Sequence, residues 1–112
     1  MEKIRIGYNG NEIPMVYYEC LPGVIVGYDK NELNKKYWAI YHELSMKRIG
    51  SINTDYKTKK DAIEAIKYIT DKYNLKWDFS EEELYKYVKD NKINTRDFNI
   101  ELYQFANKSW GR

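Results

Sequence analysis

Tyr56-Lys57-Thr58-Lys59-Lys60-Asp61-Ala62-Ile63-Glu64-Ala65-Ile66-Lys67-Tyr68-Ile69-Thr70-Asp71-Lys72-Tyr73 is the stretch that decides the fold, because here the hydrophobic period becomes helical. Ala62, Ile66, Ile69 and Tyr73 recur at i, i+4, i+7 and i+11, joined by Ile63, so they line one face of a helix. Lys59, Lys60, Lys67 and Lys72 fall off that face. Thr58, with Asp61 three residues on, reads as a capping-box variant whose hydroxyl accepts a first-turn amide. A helix is therefore expected over 58–73.

Two further helices are expected after it. Ser80-Glu81-Glu82-Glu83 is a stronger capping box, with three acids at the positive end of the helix dipole. It opens a helix over 81–90 that turns Leu84, Tyr87 and Val88 inward. Thr95 is positioned to cap a third helix over 96–108, with Phe98, Leu102, Phe105 and Ala106 on one face.

Upstream the punctuation is that of strands. Ile4, Ile6 and Tyr8 alternate with Arg5 and Gly7, and Asn9-Gly10 follows as a hairpin signal. Ile13 to Cys20 reads as the partner strand, and Pro22-Gly23 as a turn into a third strand, Val24 to Tyr28. Asp29 to Lys36 is polar and reads as a loop. Tyr37 to Leu44 is rich in β formers, with Trp38, Ile40, His42 and Leu44 on one face and Tyr37, Ala39, Tyr41 and Glu43 on the other. Ser45-Met46 would turn it into a short fifth strand, Lys47 to Ile52. Strands first and helices after is an α+β signature. The expected architecture is one domain, an antiparallel meander of four to five strands over residues 3–52 with three helices packed on one face.

Composition narrows the function classes. The 112 residues fit one domain, and 43% hydrophobic content with 16% aromatics suffices for one core. Nineteen basic residues against 17 acidic ones leave a net charge of +2, too balanced for a binder dominated by a global basic field. Cys20 is the only cysteine, so an intrachain disulfide is impossible and a reducing cytoplasm is expected. No signal-peptide or membrane-spanning run is legible, and no membrane partner is expected. Lys, Asn, Ile and Tyr supply 49 residues, all types that AT-rich codons favour, which points to a phage, plasmid or other mobile element.

Catalytic spacing signatures are missing. Walker-type loops, GxGxxG, GxSxG and HExxH do not occur. One Cys and one His cannot make a closed Cys/His zinc site, so neither metal nor cofactor is expected. Cys20 and His42 as a nucleophile–base pair compete with the simpler reading of a buried thiol and a histidine on an apolar strand face. The chain is expected not to be an enzyme.

What remains is binding chemistry. Tyrosine supplies 12 residues, and Tyr is enriched in interfaces because it offers a rigid ring and a polar handle. Tyr17, Tyr18, Tyr37 and Tyr41 are the expected anchors for a partner, with Lys47 and Arg48 as steering charges. Between Lys30 and Lys72 there are ten basic and six acidic residues. Lys35, Lys36, Lys47, Arg48, Lys57, Lys59 and Lys60 form a rival, nucleic-acid-binding set, with aromatics interleaved for base stacking. A helix-turn-helix over 81–108 is a further option, offering Arg96, Asn99, Gln104, Asn107 and Lys108 but also the phosphate-repelling Asp97 and Glu101.

Tyr37-Trp38-Ala39-Ile40-Tyr41 through Arg48, followed by Tyr56-Lys57-Thr58-Lys59-Lys60-Asp61-Ala62, resembles the arm-site-binding domain of tyrosine integrases. There a Trp-bearing strand and hairpin precede such a helix, and the sheet reads the DNA major groove. The likeness covers about a third of the chain and departs from the family in its extra N-terminal strands and lack of a catalytic domain. The leading expectation is a non-catalytic protein docking on a host protein or protein–nucleic-acid complex, in the manner of an anti-CRISPR inhibitor of a defence nuclease. DNA binding is the alternative.

Overall fold

The computed structural model describes residues 2–6, 10, 12–30, 35–50 and 54–112. Strands β1 (Glu2–Ile6), β2 (Glu12–Leu21), β3 (Val24–Lys30) and β4 (Lys36–His42) come first. Helices α1 (Lys59–Tyr73), α2 (Glu81–Asp90) and α3 (Thr95–Ser109) follow, an α+β arrangement. All strand pairs are antiparallel, in the order β1-β2-β3-β4.

The sheet has three full strands and falls short of the five that the expected meander of four to five strands allowed. β2, β3 and β4 are its full strands, and β1 is a five-residue strip on the outer edge of β2. Over its described part, Lys47 to Gly50, the expected fifth strand Lys47 to Ile52 does not form; Arg48 makes one isolated bridge to Tyr41, and Tyr56 another to Trp38. Backbone geometry explains this. The amide of Met46 donates to the His42 carbonyl, Met46 takes φ +57, and Gly50 takes φ +101, so the chain curls instead of extending. Tyr8 and Asn9 of the first expected hairpin, and Ile52, lie outside the described residues.

Pro22-Gly23 forms the β2–β3 turn, and Gly23 has the positive φ, +81, that this turn demands. One irregularity then sets the faces. Leu21 pairs with Val24, but Glu19 pairs with Ile25 and Tyr18 with Val26, so the register slips by one residue at Cys20. A one-residue slip exchanges the two faces of a strand. Val16 and Tyr18 therefore share a side with Val26, Tyr28, Trp38 and Ile40.

That side faces the helices. Val24, Val26 and Ile40 form the main core with Ala62, Ala65, Ile66 and Ile69 of α1 and Phe98, Leu102 and Ala106 of α3. On the opposite side Met15, Ile25, Ala39 and Tyr41 make a second cluster, closed over by Tyr17, Tyr37 and Met46. The three helices are not laid side by side on the sheet. α1 packs on β3 and β4, α3 packs on α1, and α2 fully buries no residue. Thr58 caps α1 through the Asp61 amide, and Ser80 caps α2 through Glu83. α3 is capped by Asn94, whose amide oxygen accepts from Asp97, and not by Thr95; the helix starts one residue earlier than expected.

The α1–α2 connection is sealed onto the sheet's end. Trp77 and Leu75 are buried, and His42 Nε2 lies 2.9 Å from the Trp77 carbonyl and 2.8 Å from that of Phe79. Gly23 sits beneath: a Cβ there would lie 2.3 Å from the Trp77 carbonyl oxygen. Gly23→Ala combines backbone strain with that clash, and an expected loss of about 3 kcal/mol should be visible in urea unfolding. A loss below about 1 kcal/mol, the ordinary cost of a glycine replacement, would contradict the close approach.

Candidate functional site

Trp38 and Tyr56 exchange two backbone hydrogen bonds, each 2.8 Å. Tyr56 thereby fixes the chain two residues before the Thr58 cap, and α1 begins directly beside Trp38. Because α1 then runs over β4 and β3, the helix side of β2 meets the core only at Cys20 and Leu21 and is open at Val16 and Tyr18. Ile4, Val16 and Tyr18 stay 52%, 45% and 39% exposed there.

Three rings cross this open ground. Tyr28 and Trp38 lie 4.9 Å apart by centroid, inclined at 41°, and Trp38 and Tyr18 lie 5.9 Å apart at 44°. They form a cupped row across β3, β4 and β2. Lys59, the first residue of α1, places its ammonium 4.0 Å from the Tyr18 ring centroid. Lys36, the first residue of β4, sits 5.6 Å from the Tyr28 ring. Both contacts are cation–π geometry, and among the described residues neither lysine forms an ion pair. The row is thus aromatic in its floor and cationic at both ends.

α1 builds a wall along one side. Lys59, Ile63 and Lys67 recur at i, i+4 and i+8 on one helix face. Ile63 packs against the core, and Lys67 lies close enough to act on the Cys20 thiol. Asp61 accepts from the Ser109 hydroxyl and Glu64 faces Lys60, so neither carboxylate belongs to that row.

The expected protein-docking residues do not make one surface. Tyr17, Tyr37, Tyr41 and Arg48 lie on the helix-free side, where Arg48 donates to the Tyr37 hydroxyl at 3.1 Å and covers the rings of Tyr37 and Tyr41. Tyr41 is only 3% exposed and belongs to the second cluster, so it cannot anchor a partner. Tyr18 is on the opposite side, in the aromatic row. Lys47 stands at the sheet's end, ion-paired with Glu81 of α2. It borders a groove of about 330 Å³ walled by Ile49, Trp77, Leu84, Val88 and Phe98.

The nucleic-acid set divides as well. Lys36 and Lys59 join the aromatic row, with Lys35 exposed next to Lys36 and Lys57 exposed just before the cap. Lys60 pairs with Glu64, and Lys47 and Arg48 lie elsewhere. The helix-turn-helix does not assemble, because α3 packs on α1 and no comparable packing joins it to α2. Glu101 is held by Lys72 and Tyr73 of α1, which draw its carboxyl below the usual range by hydrogen bonding. Tyr28 and Trp38 are the site residues that sequence reasoning missed. Only the β2–β3–β4 register brings them together.

Cys20 and His42 do not pair as a dyad. His42 lies between the Ser45 hydroxyl, 2.8 Å from Nδ1, and the Trp77 and Phe79 carbonyls. The Cys20 thiol donates to the Val24 carbonyl, and burial pushes its pKa up to about 11, only partly offset by a backbone hydrogen bond from Leu21 and the charge of Lys67. Among the described residues no cluster of three or more His, Cys, Asp or Glu could hold a metal, and no helix is long and apolar enough to cross a membrane. No protein-family model, curated protein or solved structure matches the chain.

The thiol shift has a measurable sign. A thiol that keeps its proton to about 11 when folded, against ~8.5 when unfolded, contributes stability fully present below the lower value. That stability is lost as the pH climbs through the folded value. At pH 8 the folded thiol should react with a disulfide reagent about 100-fold more slowly than the unfolded chain. Equal rates would contradict the burial of Cys20.

Proposed function

We propose that this chain is a non-catalytic, nucleic-acid-binding accessory protein, and that the Tyr18–Trp38–Tyr28 row with Lys36 and Lys59 is its binding surface. One observation carries the reading: two lysines that form no ion pair among the described residues stand beside the outer rings of a part-exposed aromatic row. Rings supply stacking surfaces for bases, and neighbouring ammonium groups supply phosphate contacts. Domains that use such a row for packing alone would gain by covering it, because exposed aromatic area forfeits the hydrophobic free energy of burial. The protonated Cys20 and the committed His42 nitrogens support the non-catalytic part. The excess of Lys, Asn, Ile and Tyr, types that AT-rich codons encode, supports a phage or mobile-element setting.

A second reading has its own observation. Ile4 and Val16 extend the exposed row with aliphatic surface, which nucleic acid does not need and a protein partner does. In that reading the same patch docks on a host protein, such as a defence nuclease, and inhibits it.

Salt separates the two. Purified protein should bind DNA, supplied as mixed single and double strands, more tightly at about 50 mM than at 200 mM salt. The double variant Lys36→Gln/Lys59→Gln should weaken binding and flatten the salt dependence, leaving the fold intact. No DNA binding at the lower salt would sink the nucleic-acid reading and leave the protein-docking one.

A further inference from the structure

Building on the nucleic-acid reading, we infer that the ligand is a single strand, held two to three nucleotides at a time between the helix side of β2 and the lysine-bearing wall of α1. The argument begins with what rings can touch. Tyr18 is 39% exposed and Tyr28 and Trp38 stand half-buried beside it, and ring faces stack on base faces. In a duplex the base faces are covered by neighbouring pairs, and only base edges and the phosphate backbone are offered to a protein. A row of stacking rings is therefore usable by unpaired bases alone.

The layout of charge agrees. Lys59 and Lys67 lie on the helix wall, and Lys36 stands at the far end of the ring row. A strand lying with its bases on the sheet would run its phosphates along that wall. Three rings in a row set the footprint at two to three bases, as on other aromatic sheets. A groove of this kind does not read hydrogen-bonding edges, so binding should tolerate most sequences.

The test compares a short oligothymidylate with a duplex of equal length, by anisotropy and by tryptophan fluorescence. The single strand should bind at least about tenfold more tightly, with a salt slope of about 1.4 for two phosphate contacts. Tyr18→Ala should weaken it by about five- to 100-fold at unchanged slope, and Tyr18→Phe, which keeps the ring, should retain affinity. Lys36→Gln/Lys59→Gln should remove most of the slope. Equal or tighter binding of the duplex would overturn the single-strand inference and leave nucleic-acid binding standing. Failure of both ligands to bind would overturn the two together.

Discussion

The backbone of Tyr56 is bridged to Trp38 of β4 by two hydrogen bonds, its ring is fully buried, and its hydroxyl donates to the Leu102 carbonyl of α3 at 3.1 Å. One residue thus ties the sheet, the start of α1 and the middle of α3. Burial in such a place disfavours ionisation, and its pKa is raised chiefly for that reason, with Asp55 adding to the shift. The hydrogen bond matters because a buried phenol left unpaired would cost on the order of 1–3 kcal/mol.

Where α1 begins determines what it covers. Starting beside Trp38, the helix spends its apolar stripe on β3 and β4 and leaves Val16 and Tyr18 of β2 open. The same start sets Lys59 over Tyr18, so aromatic exposure and positive charge arise at one spot from one constraint. The opposite side of the sheet is handled differently. Met15 lies over Gly27, where a Cβ would be 2.1 Å from its sulfur, and Tyr17, Tyr37, Tyr41 and Arg48 close the layer. That side consumes its tyrosines in packing, whereas the helix side leaves Tyr18 exposed.

Much of this was legible in the sequence. The Ala62–Ile66–Ile69–Tyr73 stripe, the Thr58 and Ser80 caps and the Pro22-Gly23 turn are local signals, and each has its structural counterpart. The fifth strand was not legible, because a methionine gives no sign that it will take the positive φ by which Met46 curls the chain back to His42. The site was half legible. Tyr18, Lys36 and Lys59 stood out by residue type, but the slip at Cys20 decides whether Tyr17 or Tyr18 meets Trp38. Bulges leave little trace in side-chain periodicity. Tyr41, Lys47 and Arg48 were chosen for their chemistry alone, and the fold had already engaged them in packing or ion pairing.

The three tryptophans make the central claim directly measurable. Trp77 donates its indole N–H to the Thr70 hydroxyl and Trp110 donates to Asp55, whereas Trp38 stands in the aromatic row. In a nitrogen–proton correlation spectrum, titration with oligothymidylate should shift the Trp38 indole signal most and leave that of Trp77 in place. Movement confined to Trp77 or Trp110, or backbone shifts centred on Tyr17, Tyr37 and Arg48, would place the binding surface elsewhere and contradict the account.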